Sequence, residues 1–275
     1  MICFPNAKIN LGLNILNKRN DGFHNLDTVF FPIDWCDVLE IIENKNQTGK
    51  NKVDFNSDGI LIDGKPENNF IVKAYSILDQ DFNIPPVKIH LHKVIPMGAG
   101  LGGGSSDAAF TINLLDELFG LGLTIEQKIK YAKPIGSDCA FFIEGKTSFA
   151  EGRGELLHQI DLKFPGKHLI TVWPGIHVNT AMAYKGIVPC VPKIRVREII
   201  SSDIEIWKDM LINDFEKTIF KLYPEIEKVK TMLYELGSIY SSMSGSGSAV
   251  FGIFNSLPPK IKWPANYKIH LTSFS

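Results

Sequence analysis

Pro96-Met97-Gly98-Ala99-Gly100-Leu101-Gly102-Gly103-Gly104-Ser105-Ser106 places five glycines between an alternating apolar segment and an amphipathic one. Without side chains in the way, the main-chain N–H groups of such a loop can approach an anion, and phosphate is the anion it suits. A helix starting near Ser105 would add unsatisfied N–H donors and a partial positive charge at the same place. Ser105 and Ser106 are placed either to cap that helix or to contact phosphate and a metal ion. A tight turn needs one or two glycines, and each further one costs up to ~1 kcal/mol relative to alanine, so a turn alone does not account for five.

Known anion-binding and nucleophile motifs narrow the choice. Gly98, Gly100 and Gly103 satisfy the dinucleotide pattern GxGxxG, but no acidic residue ends the following strand, and Asp116 and Glu117 lie within the helix. The nearest approach to a Walker A loop, Gly145-Lys146-Thr147, has Ala140 in place of its first glycine, and GxSxG occurs nowhere. Asp107 is expected to complement the helix dipole, the alternative being that it faces a metal ion. A second glycine-serine run, Met243-Ser-Gly-Ser-Gly-Ser248, precedes an apolar segment, where a hairpin turn is the competing explanation.

The elements that must position these residues follow from periodicity. Ile9, Leu11, Leu13 and Ile15 alternate with Lys8, Asn10 and Asn14, a half-buried strand that turns Lys8 and Asn10 to one side. A turn follows at Asn20-Asp21-Gly22, then strands at Thr28 to Ile33 and Val38 to Glu43, and a polar loop or hairpin tip from Asn44 to Asp58. Helical spacing marks Asn69 to Asp79, and Val87 to Ile95 alternates as a strand. After the glycines, Ala108, Ile112, Leu115 and Phe119 form the stripe of a helix ended by Gly120, and a further helix spans Thr124 to Ala132. Strands are expected at Leu169 to Trp173 and Ala249 to Phe254, and helices at Ile206 to Lys221 and Ile226 to Leu236. The turn-rich Glu151-Gly-Arg-Gly-Glu155 marks a boundary between domains 1–154 and 155–275, both mixed α+β.

The 275 residues suit two domains, with 44% apolar and 21% charged residues. A net charge of -1 supplies no field for nucleic acid or anionic lipid. Cys3, Cys36, Cys139 and Cys190 form no CxxC, there is no HExxH, and His90 and His92 share a strand face without a third ligand. No segment reads as a membrane span, and a cytoplasmic protein with no membrane or nucleic-acid partner is expected.

Three segments, Asn6 to Leu13 with Arg19 to Leu26 behind it, Pro96 to Ala109, and Met243 to Ser248, resemble the GHMP kinases in order and spacing. Gly136-Ser-Asp138 and Phe149 to Glu155 resemble stretches of those members that act on 4-diphosphocytidyl-2-C-methyl-D-erythritol. The resemblance implies an N-terminal domain like ribosomal protein S5 domain 2 and a ferredoxin-like C-terminal domain. It implies transfer of the γ-phosphate of ATP to the 2-hydroxyl of that acceptor, and a monomer or weak homodimer is expected. Lys8 and Asp138 match the catalytic pair, with Asp138 taking the hydroxyl proton, although a neighbouring cation weakens a carboxylate as a base. Pro96 to Ser106 would bind ATP, with Ser105 and Ser106 as ligands of Mg²⁺. Asn10, Phe23, His24, Tyr184, Ser244 and Gly245 would bind the acceptor. His24 would contact cytosine, with Phe23, where tyrosine is usual, stacking on it and Tyr184 the opposing ring. Cys139-Ala140 departs from a usual Val-Pro, and Pro134 interrupts the approach to Gly136. The alternatives are another alcohol acceptor within the superfamily, an ATP-binding module without catalysis, or a dinucleotide-dependent dehydrogenase.

Overall fold

A computed structural model describes residues 1–47 and 52–274. In chain order the strands are β1 (Ile2–Cys3), β2 (Asn6–Lys18), β3 (His24–Cys36), β4 (Val38–Glu43), β5 (Val53–Gly59), β6 (Val87–Lys93), β7 (Ser148–Glu151), β8 (Leu156–Gln159), β9 (His168–Trp173), β10 (Tyr240–Met243), β11 (Val250–Phe254) and β12 (Lys268–Ser273). The helices are α1 (Phe70–Phe82), α2 (Gly103–Phe119), α3 (Ile125–Ala132), α4 (Cys139–Glu144), α5 (Thr180–Lys185), α6 (Val196–Ile199), α7 (Trp207–Met210), α8 (Glu216–Leu222) and α9 (Pro224–Glu235). The chain divides into two compact units, and each draws on several stretches of sequence. One contains Met1–Ala7, Asp34–Ile95 and Gly102–Gly145; the other contains Lys8–Ile33, Pro96–Leu101 and Lys146–Ser275.

The first unit holds a four-stranded sheet in the order β1-β4-β6-β5. β6 alternates buried and exposed residues without a break, which turns Val87, Ile89 and Leu91 into the core and His90 and His92 outward. Ile71, Ala74, Tyr75 and Leu78 of α1 and Ala108, Ile112 and Leu115 of α2 close over that apolar face. Gly120 ends α2 in a left-handed conformation, as its position after the apolar stripe predicts. α3 starts at a reciprocal cap: Gln127 N donates to Thr124 Oγ1, and Thr124 N donates to Gln127 Oε1.

The segment Asn44 to Asp58 departs from the expected loop, because Val53–Gly59 pairs in parallel with β6 along its whole length. Residues 48–51 of that segment lie outside the described residues. β5 is an edge strand held by main-chain hydrogen bonds with little side-chain burial, so its polar sequence concealed it. Its Asp58 accepts from His92 Nδ1 at 2.6 Å and lies 3.6 Å from His90, which accounts for both histidines on that strand face.

The second unit holds sheets in the orders β2-β3-β7-β8 and β10-β11-β9-β12. Its core joins Leu13, Ile15 and Leu26 to Ile170, Val172, Phe215, Ile219, Val229 and Leu233. The expected helix over Ile206 to Lys221 is broken between α7 and α8. There Leu13 N donates to Ile212 O and Asp214 N donates to Leu13 O, so this stretch gives its main-chain groups to β2. Asp214 Oδ2 also accepts from Ile15 N at 2.7 Å, and Asn213 Oδ1 accepts from Phe215 N at the entry to α8. Asn and Asp compete with helix through such side-chain bonds, and tertiary pairing decides the outcome here.

Replacing Thr124 by Ala should remove the α3 cap and lower unfolding free energy by about 1 kcal/mol. Urea denaturation checks this, with steady-state activity expected to remain unchanged.

Candidate functional site

Three of the five loop glycines are needed for conformation. Gly98, Gly100 and Gly102 have φ of +62°, +76° and +72°, the left-handed region that favours glycine. The other two are needed for clearance. A Cβ on Gly103 would lie 3.0 Å from Ile95 Cγ2 and 3.1 Å from Lys93 Nζ, and one on Gly104 would lie 3.5 Å from Phe70. α2 therefore starts at Gly103, earlier than Ser105, and its cap position is Gly102, which has no side chain to offer. The first N–H groups of a 17-residue helix are thus left without a side-chain cap. Neither serine caps the helix: Ser106 is wholly buried and its Oγ has no hydrogen-bond partner.

Asp107 is not an exposed complement to the helix dipole. It is buried and accepts from Lys93 Nζ at 2.6 Å, while Lys93 also donates to buried Asp37 at 2.5 Å. Burial pushes the Asp107 carboxyl up to about 7 against the opposing pull of Lys93. Gly136 sits close to α2, where a Cβ would lie 2.9 Å from Ser105 Oγ. Asp138 stands at the cap position of α4, but its side chain makes no capping bond, so the commonest structural use of an aspartate there is not its use. Ser137 Oγ donates to Asp138 Oδ1 at 3.2 Å. Cys139 is buried with its thiol pushed up to about 12 by desolvation, which keeps it protonated and poorly nucleophilic.

In the second unit the other half of the glycine loop is tied to β2 and to the glycine-serine run. Lys8 N donates to Leu101 O at 3.0 Å, and Ala249 N donates to Ala99 O at 3.0 Å. Lys8 is 3% exposed; its Nζ donates to Asn10 Oδ1 at 2.5 Å and lies 4.8 Å over the Phe30 ring. Asn10 N donates to Ser244 Oγ at 3.2 Å, Ser244 Oγ donates to Gly100 O at 2.8 Å, and Asn10 Nδ2 donates to Thr28 Oγ1 at 3.0 Å. A Cβ on Gly245, at φ +55°, would meet Asn10 Oδ1 at 3.2 Å. The structure therefore gathers Lys8, Asn10, Gly100, Ser244 and Gly245 around one buried polar cluster.

A separate group surrounds the β2–β3 turn. His24 stacks on Tyr184, with centroids 4.8 Å apart and 17° between planes, and Tyr184 meets Phe215 edge-on. Phe23, 52% exposed, lies beneath the Arg153 guanidinium, which is 4.0 Å from its centroid. Burial and the Lys18 ammonium both pull His24 below the ordinary imidazole value, favouring the neutral ring. A neutral imidazole carries one donor and one acceptor, the equipment needed to read the edge of a base.

Asn213 was not singled out from sequence. Its Nδ2 donates to Met243 O at 2.7 Å and to Gly245 O at 2.8 Å, so this one buried amide holds the glycine-serine run in shape. The signal available was an Asn-Asp pair interrupting an otherwise helical apolar pattern.

Comparison with known proteins finds relatives over nearly the whole chain. Residues 69–146 match the family model for the GHMP kinases N terminal domain, and residues 196–262 match that for GHMP kinases C terminal. The 4-diphosphocytidyl-2-C-methyl-D-erythritol kinase of Bacteroides fragilis is 51% identical over 255 residues, 93% of this chain and 92% of its own. The protein of the same name from Cytophaga hutchinsonii is 47% identical over 259 residues, 94% of each chain. A crystal structure of 4-(cytidine 5'-diphospho)-2C-methyl-D-erythritol kinase aligns with a TM-score of 0.79 and 32% identity, covering 93% of this chain and 91% of that one. The mevalonate kinase of Methanococcus jannaschii aligns over 100% of this chain and 98% of its own, with a TM-score of 0.68 and 14% identity, a likeness of fold.

Asn213→Ala should remove the amide donor that Met243 O and Gly245 O share and reduce stability by about 2 kcal/mol. Asn213→Asp is expected to be worse at pH 8 than at pH 5, because only a protonated carboxyl can donate. Thermal melts across that range check both.

Proposed function

This chain belongs to the GHMP kinase family, and we propose that it transfers the γ-phosphate of ATP to the 2-hydroxyl of 4-diphosphocytidyl-2-C-methyl-D-erythritol. The observation that carries the phosphoryl-transfer reading is the run of left-handed glycines Gly98, Gly100 and Gly102 opening into a helix end without a side-chain cap. Such an end supplies oriented donors and a positive dipole to the phosphates of ATP, the co-substrate of this family. The acceptor is narrowed by relatives of that specificity at 47% and 51% identity over nearly the whole chain. The fold is the two-domain α+β fold of the family. Matches at 69–146 and 196–262 fall one on each side of the proposed boundary after residue 154, while the compact units draw Lys8–Ile33 and Pro96–Leu101 together with the C-terminal half.

In this reading, Pro96 to Ser106 form the nucleotide cradle. Lys8, a buried ammonium, neutralises charge developing on the transferred group, and Asp138 orients the acceptor hydroxyl and takes its proton. Phosphoryl transfer depends chiefly on alignment and charge neutralisation, so a carboxylate contributes by orientation even where its proton transfer is late. Asn10, Ser244 and Gly245 hold the polyol. Phe23, His24 and Tyr184 receive the cytosine: His24 reads its edge, and ring faces provide stacking that does not need the tyrosine hydroxyl missing at Phe23.

Magnesium fits the donor set. Among the described residues no group of three or more His, Cys, Asp and Glu side chains could hold a metal ion, and Mg²⁺ accompanying ATP draws ligands from phosphate oxygens and few protein groups. The unpartnered hydroxyl of Ser106, with that of its neighbour Ser105, would supply hard neutral oxygens. When bound, the ion would draw charge from the phosphates. No helix of the described residues is long and apolar enough to cross a membrane. The reading takes the enzyme as cytoplasmic, a monomer or weak homodimer acting on a small molecule.

Incubation with Mg-ATP and 4-diphosphocytidyl-2-C-methyl-D-erythritol, beside mevalonate and homoserine, should phosphorylate only the cytidine-bearing alcohol; phosphorylation of another alcohol instead would overturn the assignment. Asp138→Asn is expected to lower kcat by about 100-fold or more. Near-normal turnover would remove Asp138 from the mechanism. Gly103→Val should raise KM for ATP, and an unchanged value would contradict the cradle.

A further inference from the structure

We propose that the buried ion cluster of Lys93, Asp37 and Asp107 is a positioning device that locks the first turn of α2 to the exit of β6 and thereby sets ATP affinity. The inference rests on the reading of Gly98 to Ser106 as the nucleotide cradle. Lys93 is the last residue of β6, and Asp107 lies one turn into α2, four residues after Gly103. One ammonium joins the two elements: Lys93 Nζ donates to Asp107 Oδ2 at 2.6 Å and to Asp37 Oδ2 at 2.5 Å. The other oxygen of Asp37 accepts from Val94 N at 2.6 Å and Ile95 N at 2.8 Å, the main chain that leads from the strand toward the loop. Asp37 is itself fixed, since its N–H donates to Pro5 O.

Stability does not account for this arrangement. The side chains of Lys93, Asp37 and Asp107 are 2%, 0% and 5% exposed, so all three charges lose their hydration. The carboxylates outnumber the ammonium, and Asp107 Oδ1 has no hydrogen-bond partner. Well-packed apolar side chains in the same volume would stabilise such a site at least as well. Short directional bonds add register. Apolar packing tolerates a helix that slides or turns by a few tenths of an ångström, whereas a bridged carboxylate at Asp107 fixes both the height and the rotation of the first turn. Gly103 completes the lock, because its missing Cβ lets the helix start approach Lys93 Nζ and Ile95. Donors aimed at phosphate lose their value when displaced by small distances, so this register carries directly into nucleotide binding.

Asp107→Ala removes the helix end of the bridge, Asp107→Asn keeps an oxygen for Lys93, and Gly103→Ala presses on the same contact from the helix side. Affinity for AMPPNP with Mg²⁺ by calorimetry, steady-state constants and melting temperature are measured for each. Asp107→Ala should weaken AMPPNP binding and raise KM for ATP by about tenfold, with KM for the acceptor within about twofold of the original; Asp107→Asn should recover nucleotide affinity to within about threefold. Gly103→Ala should raise KM for ATP in the same direction while melting near the parent temperature. Unchanged nucleotide affinity in Asp107→Ala would overturn the proposal, as would an Asp107→Asn variant as impaired as Asp107→Ala. Should Asp107→Ala fail to fold, Gly103→Ala decides by the same criterion. If the parent protein binds no AMPPNP, the cradle reading itself falls and this inference with it; binding by the parent with no response to substitution removes the positioning role alone.

Discussion

Main chain approaches main chain between the two glycine-rich runs of the second unit, and that approach constrains everything around it. A Cβ on Gly100 would overlap the carbonyl oxygen of Ser244, and Gly100 at φ +76° disfavours any side chain in any case. Ser244 completes the contact by donating to Gly100 O and accepting from Asn10 N. One hydroxyl thus ties the proposed nucleotide loop to the strand that carries Lys8 and Asn10. Gly100 is required by this geometry before any ligand is considered.

Charge is the second organising quantity. The net charge of -1 conceals a sorted distribution in which lysines normally found in solvent are buried at chosen points. Lys8 donates to the amide oxygen of Asn10 and lies over the face of Phe30. Lys93 is shared between two carboxylates, Asp37 and Asp107, and joins α2 to β6. The proposed mechanism uses the first lysine at the reacting group and the second at a distance, through the register of a helix.

Most of the fold was legible because its elements are amphipathic with clean periods. The alternation in β6 and the stripe in α2 each predict a buried face that the structure shows. Errors arose where backbone pairing, not side-chain burial, defines an element. β5 is polar because it lies at a sheet edge, and the break between α7 and α8 exists because residues 212–214 bond to β2. The candidate site was legible to the extent that glycine marks conformation: the positions of the loops were read from it, and so was the start of α2 to within two residues. The roles of Ser105, Ser106 and Asp107 were less accessible. Capping and dipole complementation are local expectations, and here a glycine cap and a buried lysine displaced them.

By itself the sequence determined the glycine-rich loop, the order of strand, loop and helix around it, and the family, since these depend on residue type and local spacing. Only the tertiary structure decided that Asn213 holds the second glycine-serine run, that His24 stacks on Tyr184 while Arg153 covers Phe23, and that Asp107 is joined to Lys93 and Asp37. Each of these contacts except that of Lys93 with Asp107 joins residues at least 30 positions apart, and Lys93 and Asp107 lie on two different elements. No local period records which distant side chain will arrive, because that is set by how sheets and helices pack once their apolar faces are buried.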